Sequence, residues 1–237
     1  MIPTVVALIA DAHDPESLSI VESFLIDLKK PGVPMLAFAG FVEEAMEEVL
    51  GTLGWLSPFP QRRLVPEVPK PSAVSELLSI IEPELLVPGL TSPPDGLSVL
   101  VGLFLIHDYL QEAHALAQSA DREGPNQTAP YWHGIMHRRE PDYDNARYWF
   151  RHVGQHAIFP AIGQEVAKLM EKQNFAAQLR FDRVLDRGGH WDPMAFIDLC
   201  EECGTRWDGR AQTAAQLQSI EFRVLLEYTC RAARGEI

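Results

Sequence analysis

Two stretches of this chain, residues 97 to 119 and 211 to 233, each run for 23 residues without a proline and repeat their apolar side chains at helical intervals. A periodic segment of that length reads as a helix with a face to bury, and two of them dictate a mainly α-helical, bundle-like core. The first, LSVLVGLFLIHDYLQEAHALAQS, is apolar nearly all round over its first half, so that half is expected inside. The expected fold class is all-α.

Proline sets the other boundary. Nine of the chain's eighteen prolines lie between Pro58 and Pro94, each removing a backbone donor and discouraging helix at the residue before it. Residues 58 to 95 therefore read as a proline-rich linker or extended arm, interrupted by one short helix near residues 72 to 81. They divide an N-terminal helical region, 1 to 57, from a main helical domain, 96 to 237. In the first region Asp14-Pro15-Glu16 starts a helix to about residue 29, because Asp14 can accept from orphan amides and Pro15 is preset for the first turn. Residues 38 to 50 follow as an amphipathic helix, and residues 4 to 10 fit a short strand and a buried helix equally. Further helices are expected at 161 to 173 and, after Asp192-Pro193, to about residue 202.

Chemistry is concentrated in residues 131 to 156, YWHGIMHRREPDYDNARYWFRHVGQH, which hold four of the eight histidines, four arginines and two tryptophans. Pro141 divides the stretch into two short helices, with Asp142 or Asp144 capping the second. On the first, His133, His137 and Glu140 stand at i, i+4 and i+7 and project from one face. Two imidazoles one turn apart can reach one divalent metal, and the carboxylate offers a third ligand. On the second, His152 and His156 repeat the spacing across Gly154, while Asn145, Tyr148, Trp149 and His152 fall at helical intervals. Gly134 stands where a zinc protease carries its general-base glutamate, which argues against that class.

The candidate ligand-binding residues are His107, His133, His137, Glu140, Arg147, Tyr148, Arg151 and His156. Arginines would hold a small anionic group and a histidine would move protons. The candidate metal ligands are His133, His137 and Glu140, with a divalent metal as the cofactor. The turn at Pro141 should fold the second helix back, so that Arg151 joins them. The opposing expectation is a helical interaction or structural module. There the same groups only pair with one another and fix packing, and the proline-rich arm engages a partner or a second copy of the chain. A concave pocket lined by these side chains would separate the two.

Outside this stretch, His107 and His114 lie seven residues apart, on one side of the helix expected at 97 to 119. His107-Asp108 resembles the doublet of the HD phosphohydrolases, a pattern that also needs a preceding histidine, and the only earlier one is His13. Cys200-Glu201-Glu202-Cys203 is a lone CxxC; a structural zinc would have to borrow His190 or Cys230, and the intervening acids oppose a reactive thiolate.

A net charge of −13 and a pI near 5.0 argue against duplex nucleic acid or an anionic membrane as partner, since both need a cationic surface. The longest apolar run, residues 97 to 106, is roughly half of a bilayer span. The N-terminus lacks the basic region and small-residue cleavage site of a signal peptide, and three cysteines are too few and too odd for a disulfide framework. A cytoplasmic location is expected.

At HDYLQEAHALAQS, then YWHGIMHRREPDYDNARYWFRHVG, then HWDPMAFIDLCE, the chain resembles a family of uncharacterised bacterial and fungal proteins, over about residues 97 to 203. The resemblance implies that these three segments form one unit. It brings no activity with it.

Overall fold

The computed structural model describes residues 61–70, 72–120, 128–173 and 181–237, so the elements expected at 4 to 10, 15 to 29 and 38 to 50 lie outside the described residues. What is described is all-α: helices joined by turns, with an isolated bridge between Leu185 and Trp191 as the only β pairing among these residues. None of the described helices is long and apolar enough to cross a membrane.

Within the proline-rich stretch stand α1 (Ala73–Ile80) and α2 (Pro83–Leu86). Ser72 caps α1 by accepting from the Ser75 amide, and Ser75 Oγ accepts in return from the Ser72 amide at 3.0 Å, a reciprocal box with serine in the usual glutamate place. Pro83 opens α2, and Pro93-Pro94 opens α3 (Pro93–Ile106), because a first turn has no use for the missing N–H. Leu64, Val74, Leu77, Leu78, Leu86 and Val87 are buried in the same core as α3. The stretch therefore packs along the helices it precedes.

The single helix expected at 97 to 119 is two, α3 and α4 (Leu110–Ala120), meeting at a corner at 107–109. Neither glycine nor proline makes the corner. Asp108 adopts φ 71°, a left-handed conformation that aspartate tolerates better than most residues. A distant side chain rewards it: Arg139 donates to the Leu105 carbonyl, which also accepts from the Asp108 amide at 3.1 Å, and to the Asp108 carboxylate.

The stretch 131 to 156 forms α5 (Thr128–Arg139) and α6 (Tyr143–Val153). The first begins three residues earlier than expected, because Pro130 still falls within the opening turn, where its lack of an N–H does no harm. Asp142, not Asp144, is the cap of α6, its carboxylate accepting from the Asn145 amide at 3.2 Å. Then come α7 (Phe159–Gln173), a 3-10 turn (Phe181–Val184), α8 (Pro193–Cys203), capped by Asp192 as expected, and the closing helix α9 (Gly209–Ala233).

The core lies where α3 and α9 pack and α5 crosses them. Val99, Leu103 and Leu105 of α3 and Leu217, Phe222 and Leu225 of α9 belong to one core, all fully or almost fully buried, each such burial being worth about 1.5–3 kcal/mol. Trp132 closes the layer. A Cβ on Gly102 would stand 2.7 Å from its ring, and its indole donates to Thr229 Oγ1 at 3.1 Å. Gly134 has the same duty on the other side of α5, where a Cβ would come within 2.8 Å of Phe150 of α6. The residue that excluded a protease motif is thus what lets α5 and α6 touch.

One charged knot fixes the roll of α5. Arg138 reaches across to Glu221 of α9 with both terminal nitrogens, at 3.2 and 2.5 Å, and Tyr131 and Trp191 donate to the same carboxylate at 3.0 and 3.2 Å. Both members of the pair are completely buried. Burial alone would weaken the guanidinium's hold on its proton, but the Glu221 charge beside it reverses the sign and leaves Arg138 more basic than usual.

Candidate metal centre

With Tyr131 and Arg138 turned toward α9, α5 directs His133 and His137 the other way, one turn apart, with rings stacked at 17° and 5.0 Å between centroids. The corner at Asp108 swings α4 across this face. It brings His114 edge-on to both rings, at 5.1 and 5.0 Å. One nitrogen from each of the three imidazoles lies within 4.8 Å of the others, and among the described residues this is the one group of three or more metal-binding side chains so gathered.

Neighbours orient the rings. Trp149 of α6 stacks on His133 at 3.8 Å and 21°. The Glu140 carboxylate sits 3.3 Å from His137 Nδ1, and the amide nitrogen of Asn145 sits 3.1 Å from Nε2 of the same ring. A carboxylate at Nδ1 places the proton there and leaves the Nε2 lone pair as the acceptor. Gln118 holds His114 in like manner, its amide nitrogen 3.1 Å from Nε2.

Burial opposes protonation of two of these rings. Burial, followed by the nearby His133 and His114, lowers His137 to about 4 against a weaker opposing pull from Asp142. Burial and His133 also lower His114. A neutral imidazole is the form that ligates a metal.

The cluster lies at a cleft of about 470 Å³, whose other walls are Gln118, Asn145, Tyr148 and Trp149. A larger groove of about 710 Å³ runs past Pro66, Val68, Ile80 and Leu110, but the histidines are not there. Chemistry therefore points to the smaller cavity.

The residues expected to form the site are only partly brought together. His133, His137 and Tyr148 reach the cleft, and Glu140 is alongside, bonded to a histidine where a ligand was expected. Arg147 turns away to Asp144, Asp198 and Glu201, tying α6 to α8. Arg151 is exposed and is not part of the cleft lining, so the expected convergence of Arg151 with the histidines is not what the fold forms. His156 is buried beyond the end of α6 at Gly154, among the rings of Tyr131, Phe159 and Tyr228; it accepts from the Ile158 amide, and burial lowers it to about 4. His107 is buried at the α3–α4 corner and lowered to about 3, by burial first and by Arg62 second. The partner of His107 in the doublet, Asp108, is engaged with Arg139 and Arg62.

His114 was not among the expected ligands; spacing only set it on one side of a helix with His107. The cysteines stay apart from the cluster. Cys200 and Cys203 are buried and unpaired, and burial pushes the Cys200 thiol up to about 12, far from a reactive thiolate.

Comparison of the chain with family models, curated proteins and solved structures finds no match.

Proposed function

We propose that this protein binds a divalent transition-metal ion through His114, His133 and His137, and that the ion's open side receives a small anionic ligand from the cleft. The observation that carries the reading is the mutual approach of three imidazoles, within 4.8 Å, at the wall of a cavity. Three protein ligands with one position left over is the arrangement of metal sites that bind or transform ligands, whereas purely structural sites are closed by a fourth side chain. An all-imidazole set suits zinc, copper, nickel or iron and is foreign to magnesium or calcium.

Some closure accompanies loading. Nitrogens held about 2.1 Å from a tetrahedral ion are about 3.4 Å apart, so the trio draws in by roughly an ångström, and half-buried His114 has the room to do so. The amides of Gln118 and Asn145 yield their places to the ion. Glu140 stays behind His137, keeping its lone pair aimed.

The test is the metal content of the full chain purified without a His-tag, followed by calorimetric titration with zinc. One ion per chain is expected, with His114→Ala and His133→Ala each weakening zinc by 100-fold or more. A wild-type chain that takes up no ion overturns the reading.

A second reading, in which the cluster only fixes helix packing, is favoured by the amide and carboxylate contacts already on the ring nitrogens. His137→Ala distinguishes them. As a packing residue its loss costs about 1–3 kcal/mol of stability; as a metal ligand its loss removes the ion and leaves the metal-free melting temperature near that of the parent. Three unpaired cysteines fit the reducing, cytoplasmic setting in which either version would work.

A further inference from the structure

We infer that the ligand taken up at this cleft is a small carboxylate with a planar aromatic body, and that Tyr148 selects it; the inference rests on the metal reading of the same site. Among the described residues, the cleft has no lysine or arginine in its lining. Among these residues an anionic charge would have the ion as its full counter-charge, which suits a single carboxylate and leaves a doubly charged phosphate half unmatched. Two neutral donors stand ready for the carboxylate's second oxygen. The amide nitrogens of Asn145 and Gln118, each now 3.1 Å from a ring nitrogen, are released when the ion takes those nitrogens, and both remain on the cleft wall beside it.

The other end of the cleft is aromatic. Trp149 already has a face committed to His133 at 3.8 Å. Tyr148 stands edge-on to Trp149 at 5.6 Å and 87°, and His152 covers part of it at 4.4 Å. Even so, half of Tyr148 is open to solvent, an unusual exposure for a ring at the wall of a cavity. An open ring next to a carboxylate-sized anchor is a surface for stacking a flat apolar group. The cavity, about 470 Å³, lies in the lower half of the range that holds small ligands.

The experiment is calorimetric titration of the zinc-loaded full chain with benzoate and with acetate, zinc content being measured on every sample. Benzoate should bind at least tenfold tighter than acetate, and neither should bind the metal-free chain. In Tyr148→Ala the preference should collapse toward one, and in Tyr148→Phe, which restores the ring without the hydroxyl, it should return. A chain that holds zinc but treats benzoate and acetate alike overturns this inference and leaves the metal reading standing, as does a preference that Tyr148→Ala preserves. A chain that takes no zinc overturns both.

Discussion

Two polar groupings hang on the same helix and are built to opposite ends. On one side of α5, Arg138, Glu221, Tyr131 and Trp191 form a sealed knot in which a full charge meets a full charge and both carboxylate oxygens are occupied. On the other side, His114, His133 and His137 meet amides, one carboxylate and the Trp149 ring, and face a cleft. The difference teaches what polarity inside a protein is for. A buried ion pair specifies one packing and tolerates no loss of a partner, whereas imidazole rings with soft partners keep lone pairs that an ion can claim.

The largest effect should come from breaking the knot. Glu221→Ala leaves Arg138 buried without its counter-charge and should cost about 3–5 kcal/mol in urea unfolding, with zinc stoichiometry kept by whatever fraction folds. A loss under about 1 kcal/mol would erase the contrast between the two groupings. Acid sharpens the same contrast from the histidine side. His107 and His156 titrate near 3 and 4 in the folded chain, against an ordinary value of 6.5, so between those limits the unfolded state binds more protons than the folded one. Stability is then complete above pH 6.5 and falls as pH drops, by about 1.4 kcal/mol per pH unit for each histidine. Unfolding free energies that stay level from pH 7 to pH 5 would show that burial does not hold these rings neutral.

Next in size is Glu140→Gln. It keeps the shape and removes the charge behind His137, and zinc affinity should fall by about 10- to 100-fold with little change in unfolding. An affinity equal to the parent's would make Glu140 a bystander on the helix surface. The smallest effect is Asp142→Ala, which removes the cap of the helix carrying Asn145 and Trp149 and should cost about 1 kcal/mol, read as a shift in the urea midpoint.

How much of this was legible in the sequence depends on the range of the cause. Ser72, Asp142 and Asp192 act on their own helix ends, and the helices beginning there were readable from local chemistry, whereas the turns that Pro83 and Pro93 open were read as part of the extended arm. The corner at Asp108 was not, because its stabilising partner, Arg139, is 31 residues away and no local breaker announces it. That one miss hid His114 as well. On an unbroken helix it would have shared a side with His107, and only the turned α4 presents it to α5. Helical spacing correctly put His133 and His137 on one face, yet it says nothing about what faces that side. For the same reason Arg147 and Arg151 looked like anion ligands, when one is spent on the acids of α8 and the other is exposed.

The Arg139 bridge has a consequence in time. Its guanidinium holds the Leu105 carbonyl and the Asp108 carboxylate, and it also donates to the Arg63 carbonyl at 3.0 Å, 76 residues earlier in the chain. During synthesis the segment bearing His114 is made before Arg139, and until then the corner that aims it has Arg62 beside Asp108 and the Tyr109 hydroxyl on the Lys70 carbonyl, without the Arg139 bridge. The trio joins α4 to α5, so the three imidazoles meet only once both helices are made and the corner between α3 and α4 is turned. Assembly of the trio is in this sense a tertiary event, set by the same arginine that ties the corner to the chain 76 residues earlier.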